Sequence, residues 1–285
     1  MAMADRNPYP KLPPHRENEV GELAEFIAND RFPSGRIEPE KVARDLGVAV
    51  ISGHYGDEFD GLLEHDGGKF FIYCNLDRVE SMSSSRARFT IAHELGHYFI
   101  DDHRNALKRG EVPKHPSFCD HESKNLVEQE ADHFASCLLM PSARFRKRAK
   151  SLDTGLVGIR QLSNECGTSL TSSAIRYAKL DLMTCVIIKW SKSGYGWKWI
   201  SRSAYEIGWR KTIEEAAKII PESATGKAMA LQLPGQTVDV QRTGSTASSW
   251  FPFVDQGSFR DRLLLEEAVS LGQFGVLTLL APLPD

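Results

Sequence analysis

The chain has 285 residues, enough to bury a sizeable core in one large domain or two smaller ones. Hydrophobic residues make up 41% and charged residues 26%, proportions that exclude a disordered or membrane-embedded chain. A net charge of −3 excludes a global pull towards nucleic acid or lipid, so any such partner must be met by a local patch.

Residues 1–16 are polar and proline-rich and read as a flexible lead, without the apolar stretch of a secretory signal. No apolar run approaches the length of a bilayer span. Cys74, Cys119, Cys137, Cys166 and Cys185 are odd in number and scattered, so no disulfide framework is expected and a reducing cytoplasm fits. From Glu17, the apolar positions Val20, Leu23, Ala24, Phe26 and Ile27 predict a helix. P-E-K-V-A-R-D-L-G predicts a second, short one that Gly47 stops.

Three strand-like runs follow, V-A-V-I-S-G, D-G-L-L-E-H and K-F-F-I-Y-C-N. The last two flank Asp66-Gly67-Gly68, a hairpin signal because glycine accepts positive φ. Ser81, Ser83, Ser84 and Ser85 offer caps to a helix from about Arg86 to Ile100. Residues 101–122 are polar, with Gly110, Pro113 and Pro116, and read as a long irregular loop. A third long helix is expected from Leu126 to Met140, with Val127, Ala131, Phe134 and Leu138 at helical spacing and Pro141 ending it. Two or three helices fill 142–180. Beyond them C-V-I-I-K-W and Y-G-W-K-W-I-S suggest a β-hairpin whose Trp190, Trp197 and Trp199 read as core packing. The tail ends in F-G-V-L-T-L-L-A-P-L. A domain boundary near 181 divides 17–180 from a C-terminal, β-containing domain of unknown role at 181–285.

The sharpest chemical feature is H-E-L-G-H at 93–97. On a helix, His93 and His97 stand one turn apart on one face, where neutral imidazoles can share a zinc ion. Glu94 sits about 100° round the helix, placed to act as general base on a polarised water without binding the metal. The pentapeptide is short enough to arise by chance, but a surrounding of Phe89, Ile91, Ala92, Leu95 and Phe99 would bury it. Gly96 leaves room for close packing behind the histidines.

Two histidines do not complete a catalytic site, which needs a third protein donor and one open position. E-Q-E-A-D-H-F-A at 128–135 offers it. Glu128 is preferred as donor because Asp132, one turn on, can accept from the outer nitrogen of a zinc-bound histidine and fix its tautomer. Glu130 is the competing donor; it points about 200° away and has no carboxylate one turn further on. His103, His115, His121 and Tyr177 all remain open as partners for a developing oxyanion, and K-F-F-I-Y-C-N is the natural edge for an extended substrate.

The pair of motifs, R-F-T-I-A-H-E-L-G-H-Y-F and E-Q-E-A-D-H-F-A-S-C-L-L-M-P, resembles the ImmA/IrrE family of zinc metallo-endopeptidases over roughly residues 20–180. The resemblance implies an α+β, zincin-like domain of a small sheet plus metal-binding helices. It implies one zinc per chain on His93, His97 and Glu128, with Glu94 catalytic. It also implies a bacterial or phage protein that cuts a helix-turn-helix repressor to release a stress or mobile-element response.

A weaker signal lies at 157–180. Two short helical patterns meet at Gly167, with Ser169 available to cap the second, and resemble a helix-turn-helix. The run R-F-R-K-R-A-K at 144–150 adds five basic residues. Together they support a rival expectation, a DNA-binding regulator in which the metal is structural. Against it, the second helix offers mainly Ser and Thr plus Arg176, so a helical hairpin packed on the core and only weak, non-specific DNA contact are expected.

Overall fold

The structure is a computed structural model describing residues 12–111, 114–118, 125–191, 193–209, 219, 221–231, 239–250 and 262–283. The chain forms two compact units. The first holds the residues up to Arg144 together with Asn164–Ser169; the second holds Phe145–Ser163 and everything from Leu170 on.

The first unit opens with α1 (Pro14–Arg31), which starts inside the stretch read as a flexible lead. Pro14 fits the first turn because its missing N–H would have no partner there. Val20, Gly21, Ala24, Ile27 and Ala28 form its buried face, whereas Phe26, expected on that face, is 70% exposed. Next come α2 (Pro39–Asp45), β1 (Ala49–Gly53), β2 (Gly61–Asp66) and β3 (Lys69–Asn75). Gly67 and Gly68 close the β2–β3 hairpin at φ 54° and 77°, as the sequence predicts. Then follow α3 (Ser85–Phe99), α4 (Asp101–Lys108), β4 (Lys114–Ser117) and α5 (Leu126–Leu139).

The sheet runs β1-β3-β2-β4, with β1 parallel to β3 and the other pairs antiparallel. K-F-F-I-Y-C-N is therefore an interior strand with both edges used, and cannot be the edge that receives a substrate. Its alternation explains this, since Phe70, Ile72 and Cys74 are buried on one face. The expected loop after α3 also needs correction. Asp101 and Asp102 favour a helix start, and His103 and Leu107, one turn apart, bury one face of α4.

The arginine of α3, Arg88, is buried. It donates to Glu38 at 2.6 Å, to the Ile37 carbonyl, and to the carbonyls of Gly167 at 3.1 Å and Cys166 at 3.5 Å. This is why 164–169 belongs with the first unit.

The chain passes from the first unit to the second within α6 (Ser142–Ala149). The second unit contains α7 (Leu156–Cys166) as far as Ser163 and α8 (Leu170–Lys179). It continues with β5 (Val186–Ser191), β6 (Gly194–Ile200), α9 (Arg202–Glu206), α10 (Ala224–Ala230), β7 (Gln241–Thr246), α11 (Ala247–Trp250), β8 (Leu263–Ser270) and β9 (Val276–Pro282). Its five strands are antiparallel in the order β6-β5-β9-β8-β7. On one face Val186, Ile188, Trp190, Leu264, Ala268 and Leu280 form a core with Ala224 and Ala228 of α10 and with Trp209 and Trp250. The expected β5–β6 hairpin is present; Trp190 is core, while Trp197 and Trp199 are half-buried.

Candidate metal centre

The helix with the H-E-L-G-H motif begins at Ser84, whose hydroxyl accepts from the Ala87 N–H at 3.2 Å. From Thr90 to His97 every residue of α3 is buried. Three ionisable groups within that stretch are costly in a core unless something compensates them. α5 meets α3 at Gly96. A Cβ there would stand 3.1 Å from Ala131 Cα and 3.3 Å from its carbonyl oxygen, so any side chain would drive the helices apart.

That close approach brings Glu128 over the two histidines. The Nε2 atoms of His93 and His97 are 3.1 Å apart. Glu128 Oε2 lies 3.3 Å from His93 Nε2, and its Oε1 lies 3.4 Å from His97 Nε2. Four-coordinate zinc with donors at about 2.0–2.1 Å requires donor separations of about 3.3 Å. The three groups match that requirement and form the one such set among the described residues. Asn125 caps α5, and Glu128 falls in its first turn, where the helix dipole favours a carboxylate.

The outer nitrogens are held differently. His93 Nδ1 lies 2.8 Å from Asp132 Oδ1. His97 Nδ1 lies 3.1 Å from His103 Nδ1, and His103 Nε2 lies 3.0 Å from Glu130 Oε2. Arg16 closes the chain with two hydrogen bonds to Glu130, at 2.8 and 2.7 Å. With both Nε2 atoms turned to the metal position, His97 donates through Nδ1–H to His103, which donates through Nε2–H to Glu130. Burial would raise the Glu130 carboxyl, but Arg16 and then His103 hold it below its ordinary range. Glu130 thus belongs to the support of His97 rather than to the donor set. Sequence reasoning missed Arg16 and this use of His103 because they come from α1 and α4, one read as lead and the other as loop.

Burial disfavours a charged His93, yet Asp132 and Glu128 together hold it well above the ordinary value of 6.5. His93, His97 and Glu128 form a group that could hold a metal ion, whose binding would displace that proton. Glu94 is fully buried beside β2. A Cβ on Gly61 would stand 2.6 Å from Glu94 Oε1 and 2.5 Å from Thr90 Cγ2, so only glycine in D-G-L-L-E-H admits Glu94.

Of the other groups named from sequence, His121 and the side chain of His115 lie outside the described residues, and Tyr177 is buried in α8 with its phenol pushed up by burial. In α8 the run from Ser173 to Ala178, Arg176 included, is buried, and Lys179 is its one exposed residue. In the basic run, Arg144 donates to the Ala28 carbonyl at 3.0 Å and Asn29 at 3.1 Å, and Arg146 to the Leu180 carbonyl at 2.7 Å. No helix among the described residues is long and apolar enough to cross a membrane.

No curated protein sequence matches the chain. A solved structure described as a Mycobacterium tuberculosis transcriptional regulator is similar to it, with a TM-score of 0.60 and 16% identity. The match covers 98% of this chain and 90% of that one, and shows a shared α+β fold. Residues 79–176 match a peptidase family model described as the IrrE N-terminal-like domain. The stretch holding His93, His97 and Glu128 is thus similar to the IrrE N-terminal-like domain, in agreement with the resemblance that the two motifs carry.

Proposed function

We propose that the chain is a zinc-dependent endopeptidase whose substrate is a helix-turn-helix repressor. The observation that supports it most is the convergence of His93, His97 and Glu128 at zinc-like spacing with a buried carboxylate, Glu94, on the adjacent residue. A zinc ion would supply a polarised water and a Lewis acid for the scissile carbonyl. Glu94 takes the proton of the attacking water and returns it to the leaving amine. Asp132 and the His103–Glu130–Arg16 chain keep the two imidazoles in the tautomer that leaves Nε2 free to bind. An extended substrate pairs with β4, the edge strand beside Gly61.

The rival reading, a DNA-binding regulator, is favoured by the likeness to a solved transcriptional regulator and by the helix pair at 157–180. The burial of Arg176 and the hydrogen bonds that tie Arg144 and Arg146 to backbone carbonyls weigh against it, and the exposed Lys147, Arg148 and Lys150 support only weak phosphate contact.

Incubating the zinc-loaded chain with a co-encoded helix-turn-helix repressor separates the two. Cleavage is expected, abolished by chelator, and lowered by about two to four orders of magnitude in Glu94→Gln at unchanged zinc content. DNA binding is expected to be weak, falling with log salt by about 0.9 per phosphate contacted. Tight operator binding at physiological salt with no cleavage of any repressor would make the regulator reading correct.

A further inference from the structure

Arg86, Thr90 and Glu94 follow one another at intervals of four residues, in a single row along α3. Thr90 and Glu94 are buried, and they are the side chains nearest to Gly61 of β2. Arg86 extends the row towards the start of the helix and reaches the surface, with 42% of its side chain exposed.

Asp60, the residue before Gly61, holds Arg86 in place. Its carboxylate is 1% exposed and receives two guanidinium groups, Arg78 Nε at 2.8 Å on Oδ1 and Arg86 Nη2 at 2.9 Å on Oδ2. Arg78 also donates to Asp57 at 3.2 Å, so it is engaged twice. Arg86 meets no second anion, and its Nε and Nη1 atoms have no partner among the described residues. Arg78 alone already gives the buried carboxylate a charge-assisted bond. Arg86 therefore adds a cation that the fold does not use up.

Its position gives that cation a role. The Asp60 N–H donates to the Ser117 carbonyl at 2.9 Å, and Ser117 pairs with Gly61. Arg86 thus stands at the Ser117 end of the edge strand β4. The eight residues of helix from Arg86 to Glu94 rise about 12 Å. An extended peptide advances about 3.3 Å per residue, so three or four residues cover that length.

We propose, on the footing of the peptidase reading, that Arg86 determines specificity by receiving an acidic side chain of the substrate. The Asp or Glu lies three or four residues from the scissile bond, on the side that runs towards the Ser117 end of β4. Asp60 fixes the guanidinium there, so that little side-chain freedom is lost when the substrate carboxylate arrives.

The test uses the full, zinc-loaded chain and a random peptide library acetylated and amidated at its ends, so that side chains carry the only carboxylates. Cut sites are read by mass spectrometry. Enrichment of Asp and Glu by about threefold or more is expected three or four residues from the cut, on one side only. It should shrink as salt rises from about 0.05 to about 0.5 M. Arg86→Gln is expected to bring the enrichment to about one, and Arg86→Lys to keep part of it, because an ammonium still attracts a carboxylate. The salt series on the unaltered chain decides the matter if Arg86→Gln fails to fold. Cleavage with no acidic preference there, a preference unmoved by salt, or one that survives Arg86→Gln would overturn the role of Arg86 and leave the peptidase reading standing. A library left intact by a chain that cuts the repressor would overturn it too, since recognition would then not lie in an extended segment. No chelator-sensitive cut in either substrate would overturn both readings.

Discussion

His93 and His97 offer the same atom to the metal position but are backed by different chemistry. His93 rests directly on a carboxylate, Asp132, whereas His97 rests on a second imidazole that is itself held by Glu130 and Arg16. Asp132→Ala and His103→Ala should each weaken zinc by about 10–100-fold, read by competition against a chromophoric chelator. Unchanged affinity in either variant removes that residue from the support of the site. The raised pKa of His93 sets a pH dependence of opposite sign in the two forms of the protein. Without metal, the stabilising contribution of charged His93 is present below about 6.5, the unfolded value, and is lost as pH rises through the higher folded value. With zinc the proton must leave, so apparent zinc affinity should rise with pH. Calorimetry in buffers of different ionisation heat should detect proton release near neutral pH; zinc uptake with no release would contradict a protonated His93. The histidine pair, Glu128 and Asp132 were legible because each pair lies within one turn of one helix. Arg16 and His103 were not, because the chain they form exists only once four helices have packed.

Glycines decide how closely the elements meet. Gly96 lets α5 approach α3, and Gly61 lets β2 pass over Glu94. Gly61→Ala puts a methyl within 2.6 Å of Glu94 Oε1, and should displace the carboxylate at a cost of about 1–3 kcal/mol in stability. Peptide cleavage should fall much further than the melting temperature suggests, while zinc content stays at one per chain. If activity and zinc are both intact, Glu94 is not held by this contact. Gly96 was readable from sequence because its motif is helical and its neighbours apolar. The role of Gly61 was not, since a glycine next to Asp60 looks like turn chemistry until the strand is laid on the helix. α4 was hidden for a related reason, because D-D-H-R-N-A-L-K shows one apolar anchor and its second buried residue is a histidine.

At the scale of the molecule, the α+β class and the β-rich C-terminal part were legible from apolar runs and tryptophans. Strands β7 and β8 were not. L-L-L-E-E-A-V-S holds two adjacent glutamates, a pattern that suits a solvated helix, yet both are fully buried in an interior strand. Alternation sends them to opposite faces, where Glu266 meets Thr225 and Glu267 meets Arg242 and the Leu156 N–H. Such burial is tolerable because each carboxyl finds hydrogen-bond donors, and that information lies tens of residues away in the sequence.

The chain's path through Asn164–Ser169 bears on how the protein can be divided in the laboratory. Two of the four acceptors around the buried Arg88 guanidinium are carbonyls of this hexapeptide, which enters the first unit after an excursion into the second. A fragment cut before residue 164 holds every metal donor and Glu94, yet strands a cation in its core within the first turn of the metal helix. A fragment spanning 12–180 keeps both carbonyls and should therefore hold one zinc, even though its α7–α8 part has lost the sheet of its own unit. One spanning 12–163 should aggregate or melt well below it, although no residue of the metal centre is missing. Equal melting temperatures and equal zinc stoichiometry for the two fragments would show that Arg88 is satisfied from elsewhere. The shortest fragment that keeps the metal-site fold is thus set by a guanidinium and two backbone oxygens, not by the extent of the H-E-L-G-H and E-Q-E-A-D motifs.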